Sequence, residues 1–156
     1  PEYNPGATRE KPAADRDVPL RDDEGLVSYF EVDGAISAFV RSGGNLSVAT
    51  DLAAASDIQA ASERLAYQWG RFRLGRDLMD RHARLLLDDA MEDLHLLHGL
   101  LVAPLDGLSE KGTWIVIPSR SLAAIPFSAL FDGRRFQAET TAIAVAPSGR
   151  SKISMH

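Results

Sequence analysis

Three groups of residues in this 156-residue chain have types and spacings that chemistry uses. Glu92, His95 and His98 recur at intervals of three, which on a helix places carboxylate and imidazole on one face, in reach of a divalent metal. Metal sites usually draw ligands from several elements, so the plainer reading is the polar flank of an amphipathic helix, and no metal ligand is assigned. Ser119, Ser121 and Ser128 follow an apolar run, and a serine at a strand's end is one place for a nucleophile. None sits in a Gly-x-Ser-x-Gly elbow, since Pro118 and Arg120 flank Ser119, and turn or cap roles fit all three better. Arg120 falls where α/β folds open their ligand clefts, at the carboxyl end of a strand, although a solvated loop arginine explains it as well. Arg134-Arg135 reads as a solvated pair after a turn, and Arg64, Arg71, Arg73 and Arg76 as charges that complement the end of a helix dipole. Gly43-Gly44 lacks the helix cap and lysine of a phosphate-binding loop. With no catalytic constellation and no cofactor motif, no catalytic residue and no cofactor is assigned.

Composition narrows the classes further. There are no cysteines, which excludes a disulfide framework, a thiolate metal site and a cysteine nucleophile within the chain. The formal charge of −5 argues against a general nucleic-acid binder, which needs a basic face to offset phosphate. No apolar run approaches the roughly 18–20 residues of a spanning helix, and the polar, proline-bearing start is unlike a signal peptide. The expectation is a soluble, cytoplasmic protein without nucleic-acid or membrane partners.

These residues need a frame, and the hydrophobic pattern supplies one. Residues 1–25 hold Pro1, Pro5, Pro12 and Pro19 with many charges and read as a disordered arm or linker. Leu26–Val32 and Ala35–Val40 flank Asp33-Gly34, a strong hairpin signal, and Ser42–Asn45 turns the chain towards a short third strand at Leu46–Thr50. Ser56 or Asp57 would cap a helix running to Leu74. Asp77 would cap a longer one over residues 78–102, with Leu78, Leu85, Leu86, Ala90, Leu94, Leu97 and Leu101 facing the core. Asp88, Asp89, Glu92 and Asp93 would form its solvated face. Trp114–Ile117 is continuously apolar, the mark of a parallel strand covered by helices on either side. Leu122–Leu130 reads as a packed loop or short helical turn. Phe136–Glu139 and Ala142–Ala146 read as two further strands, and 149–156 as a polar tail. The fold class is α/β, with an N-terminal β-meander and long packed helices.

Three segments occur in an order that resembles a known family. Leu96-Leu97-His98-Gly99-Leu100-Leu101-Val102-Ala103-Pro104-Leu105 ends the long helix. Ile115-Val116-Ile117-Pro118-Ser119-Arg120-Ser121-Leu122 leads into Pro126-Phe127-Ser128-Ala129-Leu130, and Ala144-Val145-Ala146-Pro147-Ser148 closes the series. This is similar to the CHAT domain, a caspase-like domain often found beside tetratricopeptide repeats, and the similarity covers residues 26–148. The resemblance implies an incomplete caspase-like sheet and a cysteine endopeptidase under repeat-domain control. It places the loop Ser119, Arg120 and Ser121 next to the cleft, although the family's Asp-Gly-Pro is replaced there. The family's His–Cys dyad lies downstream of the Ala-Pro-Ser strand and has no counterpart here, so the chain alone is expected to be inactive. The expected partner is a protein or the remaining C-terminal part of the domain. The alternative is a non-catalytic protein-interaction module of the same fold.

Overall fold

The computed structural model describes residues 19–73 and 76–146. The expected arm therefore lies outside the described residues as far as residue 18, as do Leu74, Pro147-Ser148 and the tail from 149. The arm's end is already structured: Glu24 and Gly25 open strand β1 (Glu24–Val32). A turn precedes it, closed by Glu24 N–H to the Arg21 carbonyl and Arg21 N–H to the Glu24 carboxylate.

Asp33 and Gly34 both take positive φ, 50° and 78°, as a two-residue turn between twisted strands demands, and β2 (Ala35–Ser42) returns antiparallel. Gly43 and Gly44 then turn the chain into β3 (Asn45–Ala54), longer than the strand expected over Leu46–Thr50. Its continuation passes an irregularity in the β2–β3 register, where Ser37 Oγ accepts the N–H of Asp51, itself at φ 52°. Next come the helices α1 (Ala55–Phe72) and α2 (Arg76–Leu101). Strands β4 (Thr113–Ile117) and β5 (Ala142–Val145) complete one mixed sheet of order β3-β2-β1-β4-β5. β1, β4 and β5 run parallel, with Leu26 opposite Ile115 and Ile115 opposite Ala144. The protein is thus α/β, with the expected meander and long helices.

Side-chain alternation along the paired strands separates two faces. Val27 and Tyr29, Ile36, Ala38 and Val40, and Trp114 and Val116 share one face and one core cluster. Ile58, Ala61 and Leu65 of α1 and Ala90, Leu94, Leu97 and Leu101 of α2 join that same cluster. The other face carries Leu26, Phe30, Phe39, Ile115 and Ile117, with Phe30 and Phe39 stacked at 4.7 Å. Both faces are apolar, but α1 and α2 lie together on one of them. The expectation of helices on either side is therefore not met among the described residues.

Other expectations shift for local reasons. Ala54 is the residue before α1 and makes no side-chain cap; Asp57 sits inside the first turn. Asp77 is the second residue of α2, not its cap. Leu85 is 63% exposed. The helical period fixes the face of α2 on which Leu85 lies, but no element among the described residues buries it there. Phe136–Glu139 is not a strand. The Glu139 carboxylate accepts the Phe136 N–H at 2.6 Å and starts the single-turn helix α3 (Gln137–Thr140), while Phe136 keeps only a bridge to Phe131.

Two 3-10 turns, Arg120–Leu122 and Phe127–Ala129, form the expected packed segment after β4. They bury Leu122, Ile125, Phe127 and Leu130 in the core. Phe127 stacks on Tyr29 at 5.6 Å, and the Tyr29 hydroxyl donates to the Leu101 carbonyl at 2.7 Å, in the last turn of α2. Strand β1, α2 and the Pro126–Leu130 segment are thereby joined at one buried point. Trp114 Nε1 donates to the Leu108 carbonyl, and Gly25 lies so close to Leu108 that any Cβ there would strike it. No helix among the described residues is long and apolar enough to cross a membrane.

Candidate functional site

Strand order changes direction at β1: the chain leaves β1 towards β2 on one side, and β4 pairs on the other before leading to β5. The carboxyl ends of β1 and β4 therefore flank the crevice in which open α/β sheets hold ligands. β4 ends at Ile117, opposite Ser28, so Glu31 and the loop Ser119–Ser121 emerge side by side.

Their contacts are specific. Pro118 is buried and Arg120 exposed. Ser121 Oγ donates a short hydrogen bond to the Glu31 carboxylate, tying the loop to β1. The Ser119 hydroxyl is buried and has no hydrogen-bond partner among the described residues. Arg120, Ser121 and Ala124 line one side of a depression of about 360 Å³, with Gln59, Ser62 and Glu63 of α1 on the other. A guanidinium, hydroxyls, an amide and carboxylates can orient a polar ligand or peptide. Ser121 is held by this bond to a carboxylate, which fixes the loop against β1.

The two helical histidines face another loop. His95 Nδ1 lies 3.0 Å from the Phe131 carbonyl oxygen, and its ring meets Phe131 edge-on at 6.2 Å. Gly133, at φ 101°, lets the turn approach; a Cβ there would come within 3.3 Å of the His95 ring. Asp132 accepts the N–H groups of Arg134 and Arg135, and these bonds hold its carboxyl below the usual range. Burial lowers the His98 pKa, with Asp132 opposing the shift and His95 adding to it. These contacts fasten the 131–136 turn to α2. Glu92 instead lines the cleft between α1 and α2 with Asp93 and His95. Among the described residues no group of three histidine or carboxylate side chains is arranged to hold a metal.

The structure also reveals a polar link that sequence reading missed. Arg64 donates through Nε and Nη2 to Asp93 Oδ1, at 2.9 and 2.8 Å, and Gln68 Nε2 reaches Asp93 Oδ2 at 3.4 Å. Asp93 is buried, not part of a solvated face, and Arg64 serves this ion pair more than the end of a helix dipole. The partners are 29 and 25 residues apart on different helices, a separation that carries no local signal.

The chain matches no protein-family model, no curated protein and no solved structure.

Proposed function

We propose that this chain forms the scaffold part of a CHAT-like, caspase-fold domain. It builds the sheet and the cleft wall, while a His–Cys dyad from residues outside the chain performs peptide hydrolysis. The observation that carries this reading is the parallel edge at β5. Parallel strands are normally interior and covered on both faces. Here β1, β4 and β5 are parallel, β5 is the outermost strand among the described residues with Val145 56% exposed, and α1 and α2 cover one face. A further parallel strand beside β5, with its own helix, would extend this arrangement. The motif residues support the same reading. Phe127 and Leu130 plug the core, and Ser119–Ser121 stand at the carboxyl end of the central parallel strand. Arg120 and Ser121 would contact the substrate backbone or side chain without taking part in bond cleavage. A cytoplasmic location and control by a tetratricopeptide-repeat partner belong to the same proposal.

The β5 edge, unpaired on its outer side among the described residues, also favours a second reading, an interaction module that accepts a partner's strand there. One experiment separates the two: sequencing the native transcript past the His156 codon. A His-Gly strand followed by a strand ending in cysteine, and alkylation-sensitive peptide cleavage by that longer product, are expected. A stop codon directly after His156 overturns the peptidase reading and leaves the interaction module.

A further inference from the structure

The cleft between α1 and α2 shares Glu63 with the depression beside Ser119–Ser121, and its other lining residues play no part in the reading above. Two adjoining depressions, about 530 and 510 Å³, share Arg64, Gln68 and Asp89 and form one groove along the helix pair. Its sides are partly apolar, with Tyr67 64% and Leu96 45% exposed. Its charge is unbalanced. Arg64 is ion-paired with Asp93, whereas Glu63, Asp89 and Glu92 line the same groove with no ion pair among the described residues. A second, independent feature points to a missing donor. Gln68 is only 7% exposed, its amide nitrogen faces Asp93, and its carbonyl oxygen has no hydrogen-bond partner among the described residues. A buried acceptor without a donor destabilises the fold, and a donor entering the groove would relieve that.

We propose that the α1–α2 groove binds a basic, amphipathic helical segment of a protein partner. Its apolar side chains would lie against Tyr67 and Leu96. One arginine or lysine would reach the Gln68 carbonyl, and its other cationic side chains would meet Asp89, Glu92 and Glu63. Helix-in-groove recognition needs an apolar trough with a charged rim, and the sign of this rim selects a cationic partner.

The probe is a fluorescent, helical leucine–arginine peptide, compared with a twin carrying glutamate in place of arginine. The arginine peptide should bind the chain, shift backbone amide resonances of residues 60–68 and 86–96, and bind more weakly as salt is added. The double variant Asp89→Asn/Glu92→Gln changes two exposed carboxylates and leaves the core intact. It should weaken binding by about fivefold or more, from the size of two surface charge pairs. Gln68→Met, with its fold checked by circular dichroism, should weaken it by about threefold or more through loss of the acceptor. Equal binding of the glutamate twin, unchanged affinity in the double variant, resonance shifts confined to other elements, or no binding at millimolar peptide would each overturn the proposal.

Discussion

Replacing Tyr29 with phenylalanine tests the junction of β1, α2 and the Pro126–Leu130 segment with little change in shape. The ring and its 5.6 Å stack on Phe127 remain. What is lost is the 2.7 Å bond from a hydroxyl on a 4%-exposed residue to the Leu101 carbonyl. That carbonyl belongs to the last turn of α2, where the helix supplies no further N–H. The loss combines a net hydrogen bond with an acceptor left dry, so about 1.5–2 kcal/mol of stability should disappear near neutral pH. Melting should fall by roughly 3–8 °C for a domain of this size. The pH dependence supplies a second, sharper test. Burial pushes the Tyr29 phenol well above its ordinary value. A raised folded pKa gives stability that is complete below the unfolded pKa of about 10 and lost as pH rises above it, at about 1.4 kcal/mol per unit. The wild type should therefore forfeit about 1.4 kcal/mol of this contribution by about pH 11, which the phenylalanine variant never had. The other tyrosines are common to both proteins and cancel. Urea melts of both proteins near neutrality and at about pH 11 should show the gap closing. A gap that is absent at neutrality, or that stays constant into alkali, would refute the argument from the buried hydroxyl.

Three further outcomes follow from the same contacts. Gly133→Ala forces a Cβ against the His95 ring at a φ of 101° and should cost about 1–3 kcal/mol, seen as a lower urea midpoint; an unchanged midpoint would mean that the turn does not rest on α2. His98, whose pKa burial lowers, should titrate by NMR below the ordinary imidazole value. A depressed imidazole pKa gives stability that is present above about pH 6.5 and lost on acidification, so His98→Asn should flatten the fall in melting temperature between about pH 7 and 5. Leu97→Ala should cost about 2–5 kcal/mol because Leu97 is fully buried, whereas Leu85→Ala should stay within about 0.5 kcal/mol; similar costs in denaturant melts would show that α2 packs along its whole length.

The local elements were legible because their causes are local. Asp33-Gly34 between two β-rich runs needs only its own backbone preferences to make a hairpin, and the apolar run Trp114–Ile117 marks a strand, although not which elements cover its two faces. The Ala90–Leu101 stripe recurs with the helical period, so its buried positions can be counted along the chain. The loop Ser119–Ser121 could be placed at a strand's carboxyl end for the same reason. Its bond to Glu31 could not, because those residues meet across 90 positions.

What only the tertiary structure decided are the pairings between distant elements. Composition alone ruled out a thiolate nucleophile within the chain, since that needs no geometry. Yet Asp93 looks in sequence like its acidic neighbours, and only the arrival of α1 with Arg64 and Gln68 makes it a buried ion-pair partner. Leu85 obeys the helical stripe but is exposed, because no element among the described residues covers that turn of α2. Phe136–Glu139 has the residues of a strand and becomes a helical turn when Glu139 finds the Phe136 N–H and Thr141 the Gln137 carbonyl. Periodicity tells each side chain which face it occupies, whereas burial and charge pairing depend on what the rest of the chain brings to that face.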